Sequence, residues 1–322
     1  MTRRELITAI GGATLFPLIA RAQETGRTYR LGSLQFSAPN VPWHTAFFDA
    51  LRRQGFIVGQ NLIRDARGYG LIADQLAEHA SEVVKDQVDV IICAGDQAVR
   101  AAQQATQTIP ILAIAEDMVG SGFVASLAKP GGNTTGVSIL TTELNGKRQE
   151  ILLEAVPGTR IAALADTNGI SPQQLQALQD AARARGVELS IHRVTKEDEI
   201  AGALDAAKSS GAVALNVLAS ALLFNARQII LPQVAALNLP AIYQWPAITE
   251  EGGLMGYGPY LTQIYGEIWS RQLAQLLRGV KPADIPVEQP IKFELAINLK
   301  AAKALGLTLS ATFVARADKV VE

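Results

Sequence analysis

The chain has 322 residues, of which 48% are hydrophobic and 18% are charged, and its formal net charge is -1. This length and composition are typical of a folded protein with room for two modest cores, and they exclude an intrinsically disordered chain. The near balance of 29 basic and 30 acidic residues lacks the basic surplus that a nucleic-acid-binding surface needs. No nucleic-acid partner is therefore predicted.

Residues 1–22 have the pattern of a signal peptide that is removed on export. The pair Arg3-Arg4 precedes an apolar stretch, residues 6–20, that is too short to span a bilayer. Ala20-Arg21-Ala22 then offers a small-x-small cleavage pattern, so we expect cleavage before Gln23 and a periplasmic protein. The two arginines leave both the twin-arginine and the Sec route open. An amphipathic N-terminal helix is the alternative interpretation.

The first half of the chain alternates apolar runs with amphipathic segments, which predicts alternating strands and helices. Gly55 can end the first helix in the left-handed conformation, and Asp96 can cap a later one. The glycine-rich run Gly131–Gly136 lacks the Lys-Ser/Thr of a phosphate loop and is expected to be a turn. The expected strands are Leu31–Phe36, Asn61–Asp65, Val88–Ala94 and Pro110–Ala115, and the expected helices are Trp43–Gln54, Leu71–Asp86 and Asp96–Gln107.

The second half follows the same plan. Ser171-Pro172 combines a good N-cap residue with proline at the first helical position, and the helix that follows is expected to end at Gly186. The expected strands are Ile161–Asp166, Val187–Val194, Ala212–Val217 and Ala241–Tyr243, and the further helices are Glu197–Ser210, Leu222–Leu237 and Leu261–Arg278.

The two halves are roughly in register with each other. Gly55 and Gly186 each close a first helix and are 131 positions apart, while Pro110 and Pro240 each open a last core strand and are 130 apart. Alternating strands and helices with short links predict parallel sheets with helices on both faces. We therefore expect an α/β protein of two lobes, with a ligand held in the cleft beyond the carboxyl ends of the strands.

The sequence shows no motif for catalysis or metal binding. His44, His79 and His192 have no metal-ligand spacing, and neither a G-x-S-x-G nor an H-E-x-x-H motif is present. The single cysteine, Cys93, lies in an apolar run and is expected to be an inert buried thiol. Gly68–Ala73 fits G-x-G-x-x-A, but it follows the second strand and lacks the acidic residue of a dinucleotide site. We predict no cofactor, no metal and no enzymatic activity, with an α/β hydrolase or dehydrogenase as the remote alternative.

Glu116 and Asp117 directly follow the predicted strand Pro110–Ala115. An acid at the carboxyl end of a strand can pair with a ligand ammonium group in the cleft. A solvated loop acid is an equally good interpretation of the same pattern.

Nearly the whole chain resembles the exported substrate-binding proteins of ABC transporters, the family that includes the tryptophan-binding type. The most specific matches are SLAKPGGNTTG and VEQPIKFELAINLKAAKALGL, and LRRQGFIVGQNL, DVIICAGDQAVRAAQQATQTIPILAI and LPAIYQWPAITEEGGLMGYGP match as well. The resemblance implies a type I periplasmic-binding-protein fold, that is, two Rossmann-like parallel-sheet lobes joined by a hinge. It also implies that the protein closes on an amino acid or a similar small organic acid and delivers it to a membrane permease.

Matching positions imply a set of cleft residues at strand ends. Hydroxyl, amide and backbone N–H groups would hold a carboxylate, Asp96 or Asp117 an amine, and aromatic rings the apolar part of the ligand. For Tyr243 and Tyr257, packing in the core is an equally good interpretation. The implied ligand-binding residues are Ser37, Asp96, Gln97, Asp117, Asn168, Ala219, Ser220, Tyr243, Gln244 and Tyr257.

The sequence departs from the family in one loop. Where relatives commonly carry an acidic, proline-containing loop, this chain has Ala219-Ser220-Ala221. The departure removes a charged contact, and we expect the cleft to suit a less polar or aromatic acid if this loop lies in the cleft.

The resemblance also implies three crossings between the lobes, near Leu140, near Tyr257 and near Lys281-Pro282. Lobe 1 would comprise residues 28–140 and 258–282, and lobe 2 residues 141–257 and 283–322. We expect a monomer. A periplasmic sensory protein that presents its ligand to a receptor is the alternative function, whereas a sugar-binding-type repressor would need a DNA-binding segment where the signal peptide stands.

Overall fold

The computed structural model describes residues 26–139 and 141–322, without the side chains of residues 141 and 142. The predicted signal peptide, residues 1–22, and the first predicted crossing, at Leu140, lie outside the described residues.

The first sheet has five parallel strands in the order β2-β1-β3-β4-β5. Its central strands β3 and β4 are buried apolar runs, which is typical of strands covered by helices on both faces. The strands are β1 (Tyr29–Leu34), β2 (Leu62–Arg64), β3 (Val90–Ala94), β4 (Ile111–Ala115) and β5 (Thr134–Ser138), and the helices between them are α1 (Pro42–Arg53), α2 (Leu76–Lys85) and α3 (Asp96–Ala105).

The second sheet has seven strands in the order β12-β11-β10-β9-β8-β6-β7, and only the β10–β11 pair among them is antiparallel. The strands are β6 (Arg160–Asp166), β7 (Glu188–Val194), β8 (Leu215–Val217), β9 (Ala241–Tyr243), β10 (Met255–Pro259), β11 (Phe293–Asn298) and β12 (Lys319–Val321). The helices are α4 (Thr141–Ala155), α5 (Pro172–Arg183), α6 (Ile200–Ser209), α7 (Ala221–Asn225), α8 (Arg227–Ala236), α9 (Leu261–Gln263), α10 (Ser270–Leu277), α11 (Leu299–Ala304) and α12 (Ala311–Val314).

The internal repeat predicted from the sequence is present in the topology. The order β2-β1-β3-β4 of the first sheet recurs as β7-β6-β8-β9 in the second. Gly55 and Gly186 both adopt positive φ, +91° and +71°, directly after the corresponding helices. Ser171 caps α5 as predicted, because its hydroxyl accepts the backbone N–H of Gln174.

Several predicted elements differ from the observed ones. The helix expected over Leu71–Asp86 begins as an α-helix only at Leu76, so Ile72, placed on its buried face, is 61% exposed. Asp96 does not cap α3, because its carboxylate accepts the Glu116 backbone N–H and the Ser121 hydroxyl instead. The helix expected over Leu222–Leu237 is divided into α7 and α8.

The glycine-rich run Gly131–Gly136, expected to be a turn, leads into strand β5. Gly136 has a φ of +144°, and a Cβ atom there would lie 1.8 Å from the Ala113 carbonyl oxygen of β4. The glycine therefore permits the close approach of two strands.

The structure bears on two of the predicted crossings. Tyr257 belongs to β10 and pairs with Leu295 of the second sheet, whereas α9 packs against α1, so we propose that the crossing near Tyr257 follows Pro259. Residues 287–288 are bonded to the first sheet, because Glu288 exchanges backbone hydrogen bonds with Gly136 and Ser138. We therefore propose that the third crossing follows Glu288 rather than Lys281-Pro282. The residue bounds of the two lobes remain our proposal.

A single helical segment, residues 261–277, joins α9 and α10 through a π-helical stretch over Ile264–Trp269. It packs against α1 on the first lobe. The wider π turn carries the buried rings of Tyr265 and Trp269, whose centroids are 4.8 Å apart. Segments of this kind are frequent at functional sites.

Candidate functional site

A cavity of about 90 Å³ lies between the two sheets, at the carboxyl ends of their strands. This volume accommodates a small molecule, since one water needs only about 10–15 Å³. We call it the inner cavity. It is lined by Gln35, Phe36, Ser37, Trp43, Ala94, Gly95, Ile114, Glu116 and Ile139 of the first lobe, by Leu261 and Tyr265 of the helix packed on that lobe, and by Ser220, Ala221, Phe224, Asn225, Gln244 and Trp245 of the second lobe.

Aromatic rings from both sides form much of the wall of the inner cavity. Trp43, from the first residues of α1, faces Phe224 of α7 across the cleft at 6.2 Å between ring centroids. Trp245 contacts Phe224 at 6.4 Å, and Tyr265 lies 6.5 Å from Trp43. Phe36 is the fifth ring. Rings at these separations provide a wall for a flat apolar group.

Two buried amides border the same cavity and have polar atoms without a hydrogen-bond partner among the described residues. Gln35, which directly follows β1, is fully buried, and among the described residues neither Nε2 nor Oε1 of its side chain has a hydrogen-bond partner. Gln244, which follows β9, donates Nε2 to the Ser220 carbonyl at 2.9 Å, while its Oε1 is unpaired. Buried polar atoms without a protein partner are rare in folded proteins, so these two amides stand out among the residues of the cleft.

A buried histidine lies beside the inner cavity. His44 Nδ1 is 3.0 Å from the Ala38 carbonyl oxygen, so Nδ1 carries the proton and Nε2 is left to accept from the Ser37 hydroxyl at 3.4 Å. Burial lowers the pKa of His44 from 6.5 to about 4, against the raising effect of the Ala38 hydrogen bond. The imidazole is therefore neutral at physiological pH.

The lowered pKa of His44 predicts that the free energy of unfolding decreases in acid. Because the pKa of His44 is about 4 in the folded protein and 6.5 unfolded, the unfolded chain binds more protons between these values. Stability therefore falls as the pH is lowered through this window, by about 2 kcal/mol at pH 5. Urea unfolding of the wild type and His44→Gln at pH 5 and 7.5 measures this effect. We expect the free energy of unfolding to differ less between the two pH values in His44→Gln than in the wild type. An equal difference in both proteins would contradict the assignment of the acid effect to His44.

A buried arginine lies behind the second-lobe side of the cavity. Arg148 of α4 is 1% exposed and donates Nε to the Tyr257 carbonyl at 2.7 Å, one terminal nitrogen to Asn145 Oδ1 at 2.7 Å and the other to the Gln244 carbonyl at 3.4 Å. Desolvation lowers its pKa to about 10, and the charge of Glu116 opposes that effect. Arg148 thereby connects α4 to β10 and to the residue that follows β9.

A second, more polar depression of about 600 Å³ lies next to the inner cavity and shares Glu116 with it. We call it the outer groove. Asp96, Arg100, Asp117 and Ser121 line it from the first lobe and residues 167–174 from the second. Burial raises the pKa of the Asp96 carboxyl, which is hydrogen-bonded within the first lobe.

The ten predicted ligand-binding residues fall into three groups: residues that line the inner cavity, residues that line the outer groove, and residues that line neither. Ser37, Ser220 and Gln244 line the inner cavity. Asp96, Asp117 and Asn168 line the outer groove. The loop Ala219-Ser220-Ala221 thus lies in the cleft, as the prediction for its missing charge required, although Ala219 itself is buried and donates its N–H to Asn145.

Three other predicted residues line neither space. Tyr243 is 2% exposed and packs in the core, which is the alternative that the sequence left open. Tyr257 stacks on Phe293 at 6.2 Å and meets Arg148 through its backbone. Gln97 lies on α3, half-buried.

Sequence reasoning missed most of the residues that form the wall of the inner cavity. Gln35 precedes the predicted Ser37 by two positions. Because β1 ends at Leu34 and not at Phe36, Gln35 is the first residue after the strand, where a cleft residue is expected. Trp43, Phe224 and Tyr265 lie on helical segments, where the sequence alone does not separate a cavity-facing ring from a core ring. Phe36 and Trp245 instead follow strands β1 and β9. The missed residues are Gln35, Phe36, Trp43, Phe224, Asn225, Trp245, Leu261 and Tyr265.

The family model described as ABC transporter substrate binding protein matches residues 44–321. The chain belongs to this family. It is also 26% identical over 265 residues to the tyrosine-binding protein of Clostridioides difficile (strain R20291), covering 81% of this chain and 75% of that protein.

Two solved structures share the fold of this substrate-binding family member. One is a conserved domain protein from Vibrio cholerae, with a TM-score of 0.82 at 23% identity. The other is an ABC domain in complex with L-Trp from Streptococcus pneumonia, with a TM-score of 0.80 at 23% identity. Each likeness covers 91% of this chain and 100% of the other. The predicted fold class, two parallel-sheet lobes of the type I periplasmic-binding kind, is confirmed.

Within the described residues of this substrate-binding protein, no helix combines the length and apolar character that crossing a bilayer demands. In the same part of the chain, no three His, Cys, Asp or Glu side chains are grouped so that they can hold a metal ion.

Proposed function

We propose that the protein is exported to the periplasm, captures one small molecule in the inner cavity and delivers it to an ABC permease in the inner membrane. The ligand is an amino acid or an aromatic or organic acid. The observation that carries this proposal is the position of the cavity, since side chains of both lobes line it and a ligand there contacts both. A ligand with such contacts favours the closed arrangement by its differential affinity.

The aromatic rings that line the inner cavity support the proposal that the ligand contains an aromatic group. Five rings surround the cavity, and Trp43 and Phe224 approach each other from opposite lobes. The relatives named as tyrosine-binding and as an L-Trp complex are consistent with such a ligand. We further propose that the protein acts as a monomer and releases its ligand unchanged.

A thermal-shift panel tests the proposal. The purified protein is unfolded and refolded to remove bound ligand, and its Tm is then measured with amino acids, branched-chain keto acids, aromatic acids and sugars. A ligand at 100 times its Kd adds about 2.7 kcal/mol, which is a shift of several degrees. A selective shift with recovery of the unchanged compound supports the proposal. Consumption of the compound contradicts it.

The contact across the cleft gives a mutational prediction. We expect Phe224→Ala to weaken binding of the identified ligand by about tenfold or more, because the truncation removes an aromatic wall. Ile229→Ala is the matched control, since this side chain on the next helix is exposed and lies outside the cavity. Isothermal titration of the two variants gives the comparison. Equal affinities would place the ligand elsewhere.

A further inference from the structure

Phe224 lies on a helix that is too short to be stable by itself. Helix α7 has five residues, and the Ser220 hydroxyl caps it by accepting the Leu223 backbone N–H at 3.0 Å. Its C-cap is Ala226, and α8 begins at Arg227. Isolated helices of this length are unstable in water, so contacts with neighbouring segments set the position of the helix and of the Phe224 ring.

Arg227 contacts Phe224 in two ways. Its guanidinium carbon lies 4.6 Å from the centroid of the Phe224 ring, which is a cation–π contact. A terminal nitrogen of the same guanidinium donates to the Phe224 carbonyl at 3.1 Å. The indoles of Trp43 and Trp245 contact the same ring, at 6.2 and 6.4 Å between ring centroids. Arg227 thus fixes both the ring and the backbone of the residue that faces Trp43 across the cleft.

Glu251 fixes the guanidinium of Arg227 in turn. Arg227 Nε lies 3.0 and 2.9 Å from the two carboxylate oxygens of Glu251, and Gln228 Nε2 donates to one of these oxygens at 2.8 Å. The pair is partly buried, since 24% of the Arg227 side chain and 32% of the Glu251 side chain are exposed. Water and salt screen such a pair less than a fully exposed one.

The ion pair of Arg227 and Glu251 joins the two second-lobe segments that line the inner cavity. One segment contains α7, and the other is the connection between β9 and β10, which carries Gln244 and Trp245 at its start and Glu251 near its end. Both members of the pair lie outside the cavity lining. The pair therefore acts on a ligand through the residues that it positions.

We propose that Arg227 and Glu251 are positioning residues that keep the Phe224 ring against Trp245 and opposite Trp43. They thereby set the shape of the aromatic wall that meets the ligand. Without the pair, the ring leaves this position and Trp245 becomes more exposed. The effect on binding rests on the proposed function, whereas the position of the ring is measurable without a ligand.

Acrylamide quenching of Trp245 fluorescence tests the position of the ring in the ligand-free protein. The background is Trp43→Phe, so that the emission comes from Trp245 and from Trp269, which is fully buried. In this background we expect Arg227→Met to steepen the Stern–Volmer plot. The reason is that a displaced Phe224 ring no longer covers the Trp245 indole.

Further variants keep the test independent of one substitution. Glu251→Ala leaves the guanidinium without its carboxylate and is expected to act in the same direction. Arg227→Lys is expected to be intermediate, since an ammonium keeps the charge but not the planar fork. Arg160→Met is the matched control, because Arg160 also donates to a carboxylate, that of Glu188, and to a carbonyl, that of Ser210, outside the cavity lining. A thermal melt of each variant establishes that it folds.

A Phe224→Ala background separates positioning of the ring from a general loosening of the lobe. Adding Arg227→Met to Phe224→Ala is expected to leave the quenching unchanged, since no ring remains to be displaced. A further increase there overturns the inference, because the pair then stabilises the lobe as a whole. Unchanged quenching in folded Arg227→Met and Glu251→Ala overturns it as well.

Titration calorimetry with L-tyrosine and L-tryptophan measures the consequence for binding. We expect Arg227→Met to weaken the binding of each compound that the wild type binds by about fivefold, and to have no further effect in Phe224→Ala. An unchanged affinity beside increased quenching overturns the role of the pair in binding. A wild type that binds neither compound counts against the proposed function, and the quenching still decides on the position of the ring.

Discussion

Replacing Arg148 with methionine is expected to lower the free energy of unfolding by about 3 kcal/mol. The guanidinium satisfies two buried backbone carbonyls, at Tyr257 and Gln244, and each carbonyl left without a partner costs about 1–3 kcal/mol. Methionine also leaves Glu116 without the nearby positive charge that acts on it. Relief from burying a charge offsets part of this loss, since desolvation already disfavours the charged form.

Urea unfolding at pH 7.5 measures the effect of Arg148→Met. Arg316→Met is the matched control, because Arg316 pairs with Glu154 on the surface and such pairs contribute less than about 1 kcal/mol. We expect Arg148→Lys to be intermediate, since an ammonium can reach only part of the network. A loss below about 1 kcal/mol in Arg148→Met would show that the carbonyls find other partners.

Replacing Gln35 with methionine is expected to change stability and binding in opposite directions. Neither polar atom of this fully buried amide has a hydrogen-bond partner among the described residues, and each such atom carries a desolvation cost of about 1–3 kcal/mol. Methionine has a similar shape without that cost, so the ligand-free protein gains about 1–3 kcal/mol. Ligand binding weakens by about a hundredfold, because the ligand loses its partners on the first lobe.

Two measurements on one preparation separate these effects. Urea unfolding without ligand gives the stability of Gln35→Met, and calorimetry gives its affinity for the ligand found in the panel. Gln272→Met is the control, since this buried amide also has an unpaired oxygen but lies away from the inner cavity, with Nε2 bonded to the Gly136 and Pro286 carbonyls. We expect it to destabilise the protein without a direct effect on binding. A destabilised Gln35→Met with normal affinity would show that Gln35 is a structural residue.

The architecture was largely predictable from the sequence because its signals are local. Buried parallel strands are continuous apolar runs, as in β3, and helix ends carry Ser171 and Gly186. Strand β5 was missed because its glycines are typical of a turn. Gly136 is required by the close approach to Ala113 of the neighbouring strand, a contact that no local pattern reports.

The site was predictable only in part because it depends on distant residues. The family resemblance implied Ser37, Ser220 and Gln244 as cleft residues, and these three line the inner cavity near the carboxyl ends of the strands. The contact between Trp43 and Phe224 joins residues from two lobes, and the periodicity of α1 does not distinguish Trp43 at the cavity from Phe47 in the core. The π-helical stretch that positions Tyr265 has no recognisable sequence signal.

The tryptophans of the aromatic wall allow opening of the lobes to be followed by intrinsic fluorescence. Of the three tryptophans in the chain, Trp43 lies on the first lobe and Trp245 on the second, and both border the inner cavity. Trp269 is fully buried behind them and provides an internal reference. Because Trp43 and Trp245 border the inner cavity from opposite lobes, we expect separation of the lobes to expose both indoles to water and to leave Trp269 buried. The wavelength of intrinsic fluorescence therefore reports lobe opening without an attached dye.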